Sequence, residues 1–369
     1  MIASFFILSY YSVIAGWTFA YIEQSLAGSL YENLSPDTVN RVFSELLANP
    51  RRLIFWHTLA MLTTALIAAG GIRTGIERSI RLFMPTLVFL LVLLLFYSII
   101  EGAFADSFSY MFSFDASRLS TEGVLAALGQ AFFSMSLGLG CIMVYGSYIG
   151  GPIKLGRSVA VIAGIDTLIA IFAGLIIFSL VFQFAMEPEQ GPGLVFKTLP
   201  LIFGQLPFGI GFSVVFFVLL ALAALTSMLS LLEPSIAWLH EHTNIKRSTA
   251  AFLTSFVIWL LGLGTVFSFS DAQLLTYAGR TFFGWLDHLT ANIIMPVTGF
   301  LLAIFCAWVL PDHILKKEAD TLSPAVYRSM CFLLRYVTPN TRAKNDYTSQ
   351  YRRPAHTFAR TSAAPGPQA

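Results

Sequence analysis

The segment GQAFFSMSLGLGCIMVYGSY, residues 129–148, is apolar overall but rich in residue types that loosen a helix. Ser134 and Ser136 carry hydroxyls, and Gly138 and Gly140 leave the backbone uncovered. Because unpaired backbone groups are costly in lipid, a broken helix is tolerated only inside protein or beside a water-filled cavity. Unwinding near 134–140 would free carbonyls for a cation and a half-helix N-terminus for an anionic group. The alternative is a small-residue packing face whose serines bond back to the preceding turn.

Asp166 is the second residue that could do chemistry in this sequence. It lies about eight residues into the apolar segment 158–183, which at 1.5 Å per residue is roughly 12 Å deep. A carboxylate at that depth costs at least about 2.5–3.5 kcal/mol on insertion scales, and acids within the membrane usually mark functional sites. The alternative is a carboxyl group that stays protonated and neutral.

The composition predicts an all-α polytopic membrane protein that positions these residues. The 369 residues are 56% hydrophobic and 11% charged, whereas soluble domains carry about 25% charged residues. The net charge of +2 does not indicate a nucleic-acid partner. The sequence lacks a Walker phosphate loop and an HExxH motif, so we expect neither an ATP-driven pump nor an enzyme. Its three cysteines form no CxxC or Cys/His cluster, so neither a disulfide framework nor a zinc site is indicated.

Eight stretches are long and apolar enough to cross a bilayer, which takes about 20 residues. We predict spans near residues 4–24, 53–70, 83–101, 124–149, 158–183, 208–239, 250–268 and 288–310. The transmembrane domain is expected to cover residues 1–338 and to end in an apolar stub at 326–337. Residues 339–369 are polar and are expected to form a disordered tail.

The distribution of Lys and Arg predicts the orientation of these spans. Basic residues mark alternate loops, which we place in the cytoplasm: Arg73, Arg78, Arg81, Lys154, Arg157, Lys246, Arg247, Lys316 and Lys317. The loop at 25–52 is an exception. Residue 1 is therefore predicted to be cytoplasmic, and the short outer loops favour a multi-pass protein of a bacterial inner membrane.

Several motifs together resemble the neurotransmitter:sodium symporter family. The segment at 129–148 is similar to the family's sixth transmembrane helix. Four more stretches are similar to its third helix, its fourth-to-fifth loop and its eighth and tenth helices, namely YYSVIAGW, GIRTGIERSIRLFMPTL, ALTSMLSLLEPSIAWL and GWLDHLTANIIMPVTGFLLAIFCAWVL. The resemblance runs from Ser4 to about Pro339. It implies an incomplete five-plus-five inverted-repeat fold, with helices 3–10 and the start of 11. We therefore expect a truncated chain, a fragment, or a chain with a misassigned start and a frameshifted end.

The resemblance implies sodium-coupled symport of a neutral amino acid by alternating access, with sodium ions as the coupling ions. The first sodium site would use Ser134 and Asp166. The second would use the Ala223 carbonyl with the hydroxyls of Thr226 and Ser227, although hydroxyls in membrane helices often only bond back to their own helix. A fixed charge on Asp166 could replace the chloride that other members require, because Ala170 lacks the hydroxyl or carboxylate found there in relatives.

The implied substrate pocket has no charge near the expected side-chain position, which favours an aliphatic or aromatic neutral amino acid. Tyr11 would offer its hydroxyl to the substrate carboxylate, and Phe133 would lie over the substrate as a lid. The predicted substrate-binding residues are Ile7, Tyr11, Phe133, Ser136, Leu139, Ser227 and Leu231. The alternative for an aromatic side chain here is ordinary helix packing.

The resemblance also implies two gates. Asp287 would be the acid of the outer gate, and GLVFKTLPLIFGQLP (193–207) resembles the hairpin that caps the vestibule. The inner-gate residues would be Ser147, Tyr148, Glu233 and Glu241. Glu241 would pair with an arginine on a helix that this chain lacks. The alternative for Glu233 and Glu241 is simple solvation at the cytoplasmic end of a long helix.

Two other functions stay open at this point. One is a non-transporting truncated scaffold or regulator of a full-length relative, and a sodium channel is a weaker third reading. We expect the chain alone not to accumulate substrate, because the absent helices would carry half of the sodium ligands. The expected partners are a neutral amino acid, Na⁺ and the lipid bilayer, and a homodimer is left open.

Overall fold

The computed structural model describes residues 1–28, 31, 35–113, 119–149, 155–186, 191–269, 276–277, 279–311, 313–315 and 324–337. The predicted tail at 339–369 lies outside the described residues, as do Lys154, Lys316 and Lys317. All the statements below concern the described part of the chain.

The described residues are mainly helical, which confirms the all-α prediction. The α-helices are α1 (Ile2–Leu26), α2 (Pro36–Ala48), α3 (Pro50–Ala69), α4 (Arg78–Glu101), α5 (Phe104–Phe112), α6 (Thr121–Ser134), α7 (Cys141–Tyr148), α8 (Leu155–Gln183), α9 (Leu199–Phe203), α10 (Gly209–Thr243), α11 (Arg247–Phe269), α12 (Phe282–Leu289), α13 (Met295–Ile304) and α14 (Pro324–Phe332). Short π-helical segments adjoin some of them, at Ile72–Glu77, Leu194–Thr198, Thr290–Ile294, Phe305–Val309 and Leu333–Val337. Two-residue strands β1 (Thr276–Tyr277) and β2 (Arg280–Thr281) pair antiparallel, with Thr276 opposite Thr281.

Seven helical stretches of the described chain are long and apolar enough to span a membrane. They match the predicted spans except the one at 124–149, which is divided into α6 and α7. The chain is therefore a multi-pass membrane protein. The segment between the predicted spans at 83–101 and 124–149 contains the short helix α5. Its start is fixed on α8, because the Ala103 N–H donates to the Ser179 carbonyl at 2.9 Å and the Ser107 hydroxyl donates to the Leu175 carbonyl at 3.2 Å.

Helix α1 is the centre of the bundle. It is apolar on every side, as expected of a helix surrounded by protein, and it packs mainly against α10 and α3. In the most apolar stretch of α1, 67% of the residues are buried, against 11% in α8. Helix α8 is therefore exposed at the surface of the bundle, whereas α1 is enclosed by other helices.

Two apolar clusters fill the space along α1. The inner cluster surrounds the start of α1 and includes Ile7, Leu139 and Leu231. The outer cluster surrounds its second half and is rich in aromatic rings, among them Trp17, Phe43 and Phe196. On the predicted orientation, the inner cluster is the one nearer the cytoplasm.

Candidate functional site

The break between α6 and α7 lies where the serines and glycines predicted it. Helix α6 ends in a Schellman motif, in which the Leu137 N–H donates to the Phe132 carbonyl at 2.9 Å and the Ser136 N–H to the Phe133 carbonyl at 3.0 Å. Ser136 takes the left-handed conformation that this motif needs, with φ 53°. Gly138 and Gly140 follow with φ 85° and 86°, which side-chain-bearing residues rarely adopt. The predicted non-helical backbone is confirmed, with a half-helix on each side.

The break leaves backbone groups available on both sides. Helix α7 begins at Cys141 with no side chain capping its first N–H groups, so these groups and the helix dipole favour an anion. The Leu139 carbonyl accepts a hydrogen bond from the Met1 amino group at 3.0 Å. The opened backbone therefore offers donors for a carboxylate and an acceptor for an ammonium group within a few residues.

Most of the predicted substrate-binding residues lie near this break. Ile7, Leu139 and Leu231 are buried together in the inner cluster, and Tyr11 packs against it. The Tyr11 hydroxyl also lies beside the Ser227 side chain, where α1 meets α10.

Three predicted pocket residues are not part of this cluster. Phe133 is 44% exposed, Ser227 is exposed on α10, and Ser136 is partly buried within the break. Their contact with a substrate stays a prediction.

The predicted sodium ligands are positioned unequally. In the second set, the Thr226 hydroxyl donates back to the Ala223 carbonyl of its own helix at 2.8 Å, as the back-bonding alternative expects, and Ser227 is exposed. In the first set, the exposed Ser134 hydroxyl bonds back weakly to the Ala131 carbonyl at 3.4 Å. Asp166 is partly exposed on α8 and pairs with none of the described residues. The first set is therefore not assembled here, and both sets stay predictions.

A buried ionic network joins α7, α10 and α11 at the inner end. Glu233 is 0% exposed. Its two carboxylate oxygens accept from the Tyr148 hydroxyl at 2.7 Å and from the Arg247 guanidinium at 2.6 Å. The solvation alternative for Glu233 is wrong, because its side chain is fully buried and both carboxylate oxygens accept from protein side chains. The sequence indicates Arg247 only as one of the basic loop residues that predict the orientation of the spans.

A second contact, one turn away, repeats the spacing of this network. Tyr145 and Tyr148 lie three residues apart on α7, and Ser230 and Glu233 lie three apart on α10. The Tyr145 hydroxyl reaches the Ser230 hydroxyl at 3.4 Å. Since residues three apart share a helix face, the two contacts align α7 parallel to α10. The matched spacing is visible in the sequence, but only the fold shows that the faces meet.

The other two predicted inner-gate residues are peripheral. Ser147 is exposed, and its hydroxyl bonds back to the Val144 carbonyl at 2.7 Å. Glu241 is exposed near the end of α10 and has no charged partner within the described ranges. Their gating roles stay predictions.

Asp287 is partly buried at the outer side of the inner cluster, where it interacts with the Tyr10 hydroxyl. The ring of Tyr10 packs edge-on against Phe283 at 5.4 Å. The sequence analysis missed Tyr10, although it precedes Tyr11. Tyr10 thus directs its hydroxyl to the predicted outer gate, and Tyr11 directs its hydroxyl to the predicted substrate pocket.

The sequence profile of the Sodium:neurotransmitter symporter family matches residues 46–344. The chain belongs to this family. An uncharacterized sodium-dependent transporter of Bacillus subtilis, YhdH, is 33% identical over 344 residues, which cover 91% of this chain and 75% of the relative. A similar transporter of Haemophilus influenzae is 30% identical and covers 92% and 75%.

A solved structure agrees with this membership. The crystal structure of MhsT in complex with L-phenylalanine superposes with a TM-score of 0.83 at 36% identity, over 93% of this chain and 78% of that chain. The break, the inner cluster and the ionic network therefore belong to a symporter of the sodium-dependent type.

Proposed function

We propose that this chain provides the transport core for sodium-coupled symport of a neutral amino acid with an apolar side chain. The observation that carries the proposal is the break between α6 and α7, which opens backbone groups next to the buried cluster of Ile7, Leu139 and Leu231. A zwitterion needs both an anion site and a cation site, and an apolar side chain needs an apolar wall. The break and this cluster supply all three.

The substrate carboxylate would bind the uncapped N-terminus of α7 and the Tyr11 hydroxyl. Its ammonium group would take the place at the Leu139 carbonyl that the Met1 amino group holds here. Its side chain would lie against the three buried aliphatic residues. The presence of L-phenylalanine in the MhsT complex supports a large apolar side chain as the first candidate.

Sodium would enter as a co-transported substrate. It is a hard cation that prefers oxygen ligands, and the Ala223 carbonyl with the Thr226 and Ser227 hydroxyls offers three within two helical turns. Ser227 also lies beside the Tyr11 hydroxyl. Sodium at this site would therefore favour the same arrangement of α1 and α10 as the substrate carboxylate, which is how ion and substrate binding would be coupled.

Alternating access would require the inner end to open. Opening would separate α7 from α10, and it would therefore break the contact between Tyr148 and Glu233 while Arg247 stays with Glu233 near the start of α11. Because Arg247 continues to neutralise the carboxylate, the step costs one charge-assisted hydrogen bond rather than an exposed pair of buried charges. A gate that opens and closes reversibly needs a small free-energy cost of opening.

The function is tested by uptake of radiolabelled L-phenylalanine into proteoliposomes. One preparation contains the 369-residue chain, and the other contains this chain fused to the part of MhsT that the superposition leaves uncovered. We expect uptake by the extended chain that requires an inward sodium gradient and that Tyr11→Phe reduces at least tenfold. If correctly folded extended protein shows no sodium-dependent uptake of any neutral amino acid, the scaffold or regulator function is favoured instead.

The role of Asp166 needs its own test. A carboxylate about 4–6 Å from sodium would supply the counter-charge that other members take from chloride. We expect uptake to persist when chloride is replaced by gluconate, and Asp166→Asn to weaken sodium affinity while keeping one ligand oxygen. Uptake that collapses without chloride, or an Asn variant with unchanged sodium affinity, would leave the protonated carboxyl as the better description.

A further inference from the structure

We propose that the groove between α3 and α11 binds one acyl chain of an anionic phospholipid, whose phosphate lies at Lys246. The groove has a volume of about 290 Å³ and is lined mainly by Met61, Leu62, Ala65, Phe252, Phe256 and Trp259. It is separate from the break and the ionic network, and its floor at Met61 adjoins the inner cluster.

The walls of the groove face the bilayer. Leu62, Phe252 and Phe256 are 48%, 44% and 57% exposed on two membrane-spanning helices. The one indole N–H in the wall is already used, because Trp259 Nε1 donates to the Thr58 hydroxyl at 3.0 Å. The Trp259 carbonyl is also engaged, by His57 Nε2 at 3.1 Å. Ser255 also lines the groove, and its buried hydroxyl has no hydrogen-bond partner within the described part of the chain. The rest of the lining is mainly apolar, so hydrocarbon is its natural filling.

The size of the groove favours an acyl chain over a helix from a second copy. A helix with its side chains is about 10 Å wide, so it would rest on the exposed side chains of Leu62, Phe252 and Phe256 and leave the floor of the groove uncovered. A single acyl chain is narrow enough to enter, and it would restore the contacts that the concave wall lacks.

Charge at one end of the groove indicates the headgroup. Lys246 directly precedes α11, and Arg73 follows α3 at the same end. Both side chains are exposed, and neither is ion-paired with another described residue. Arg247 is not available, because it is bound to Glu233. Phe252 lies six residues beyond Lys246, about 9 Å along the helix axis. The phosphate of a lipid whose chain enters at Phe252 can therefore reach Lys246.

The test uses Trp259 as a built-in probe in nanodiscs that contain lipids with brominated acyl chains, which quench nearby tryptophan. The Trp259 signal is the difference in fluorescence between the unsubstituted chain and the Trp259→Phe variant. The matched control is Trp308, which is 64% exposed outside the groove. We expect half-quenching of Trp259 at about fivefold lower mole fraction of brominated phosphatidylglycerol than of brominated phosphatidylcholine, since one basic residue near the surface contributes about 1 kcal/mol. Trp308 is expected not to distinguish the two lipids.

Charge variants identify the headgroup contact. Lys246→Gln is expected to abolish most of the preference for phosphatidylglycerol, whereas Arg157→Gln, at an exposed basic residue of α8, leaves it unchanged. Native mass spectrometry of the unsubstituted chain, which depends on no variant, is expected to retain one phosphatidylglycerol. Equal quenching by the two lipids, or an unchanged preference in Lys246→Gln, overturns the proposal. Protection of Trp259 from both lipids in a dimeric species also overturns it and assigns the groove to a second copy.

Discussion

The outer and inner ends of the bundle are closed by different kinds of contact. At the outer end, Trp17 packs edge-on against Phe43, Phe196 and Phe269, with ring centroids 5.6, 5.5 and 5.2 Å apart. At the inner end, α7 is attached to α10 mainly through the hydroxyls of Tyr145 and Tyr148, and the second of these rests on the Glu233–Arg247 pair.

The difference indicates which end can move at low cost. Aromatic contacts are numerous and individually small, about 0.5–1.5 kcal/mol each beyond the area they bury, so loss of one leaves the others in place. The ionic network has few members, and each depends on the others because the carboxylate is fully buried. We therefore expect the outer cluster to act as permanent packing and the inner network to open through loss of the Tyr148 contact.

The largest expected effect comes from removing the charge that neutralises Glu233. Arg247→Gln leaves a fully buried carboxylate unpaired, and we expect it to destabilise the fold by about 3–5 kcal/mol. The measurement is thermal unfolding in detergent together with hydrogen–deuterium exchange, which should rise in Cys141–Tyr148 and not in Leu199–Phe203.

Two controls accompany this variant. The double variant Glu233→Gln/Arg247→Gln buries no charge and is expected to recover most of the stability. Arg81→Gln disrupts the exposed pair with Glu77 and should cost under about 1 kcal/mol. A double variant no more stable than Arg247→Gln would show that the network is not held together by charge.

The matching change in the outer cluster is Phe217→Ala. Phe217 is 0% exposed and contacts Tyr21 and Phe196, so its truncation leaves a cavity that we expect to cost about 3 kcal/mol. Exchange should rise in Leu199–Phe203 and stay unchanged in Cys141–Tyr148. Phe208→Ala, at a side chain that is 90% exposed, serves as the control. Increased exchange at both ends would show that the two ends are coupled rather than independent.

Tyr148→Phe removes one hydrogen bond to the buried carboxylate and keeps the ring. A bond to a charged group contributes about 1.5–3 kcal/mol, and its loss should raise the exchange of Cys141–Tyr148 selectively. Tyr145→Phe, which loses only the longer bond to Ser230, is expected to cost less than half as much. Equal effects of the two variants would contradict the special role of Glu233.

Tyr21→Phe is expected to have the smallest effect. It removes the hydrogen bond to the Phe196 carbonyl at 2.7 Å, which contributes about 1 kcal/mol, but keeps every ring contact. Melting temperatures of Tyr21→Phe and Phe217→Ala measured side by side check this ranking. A Tyr21→Phe variant as unstable as Phe217→Ala would mean that the outer cluster also relies on directional bonds.

Much of this architecture could be predicted from the sequence, because membrane spans depend on composition over about 20 residues. The break at 134–140 was also predictable, since Gly138 and Gly140 allow the positive φ that a regular helix excludes. Helix α5 could not be predicted in this way. Its start is held by bonds to the Leu175 and Ser179 carbonyls of α8, which are distant in sequence.

The sequence by itself determined the class of protein, the spans, the break and the family resemblance, because each depends on local composition or on motifs in a fixed order. Only the tertiary structure decided the state of Glu233, for which the sequence left open an inner-gate role and simple solvation at the end of a long helix. Its burial and its pairing with Arg247 depend on how α11 folds back after Thr243 and on how α7 is aligned with α10. A buried charge persists only where its partners converge in three dimensions, and that convergence has no counterpart in residue types or spacing along one helix.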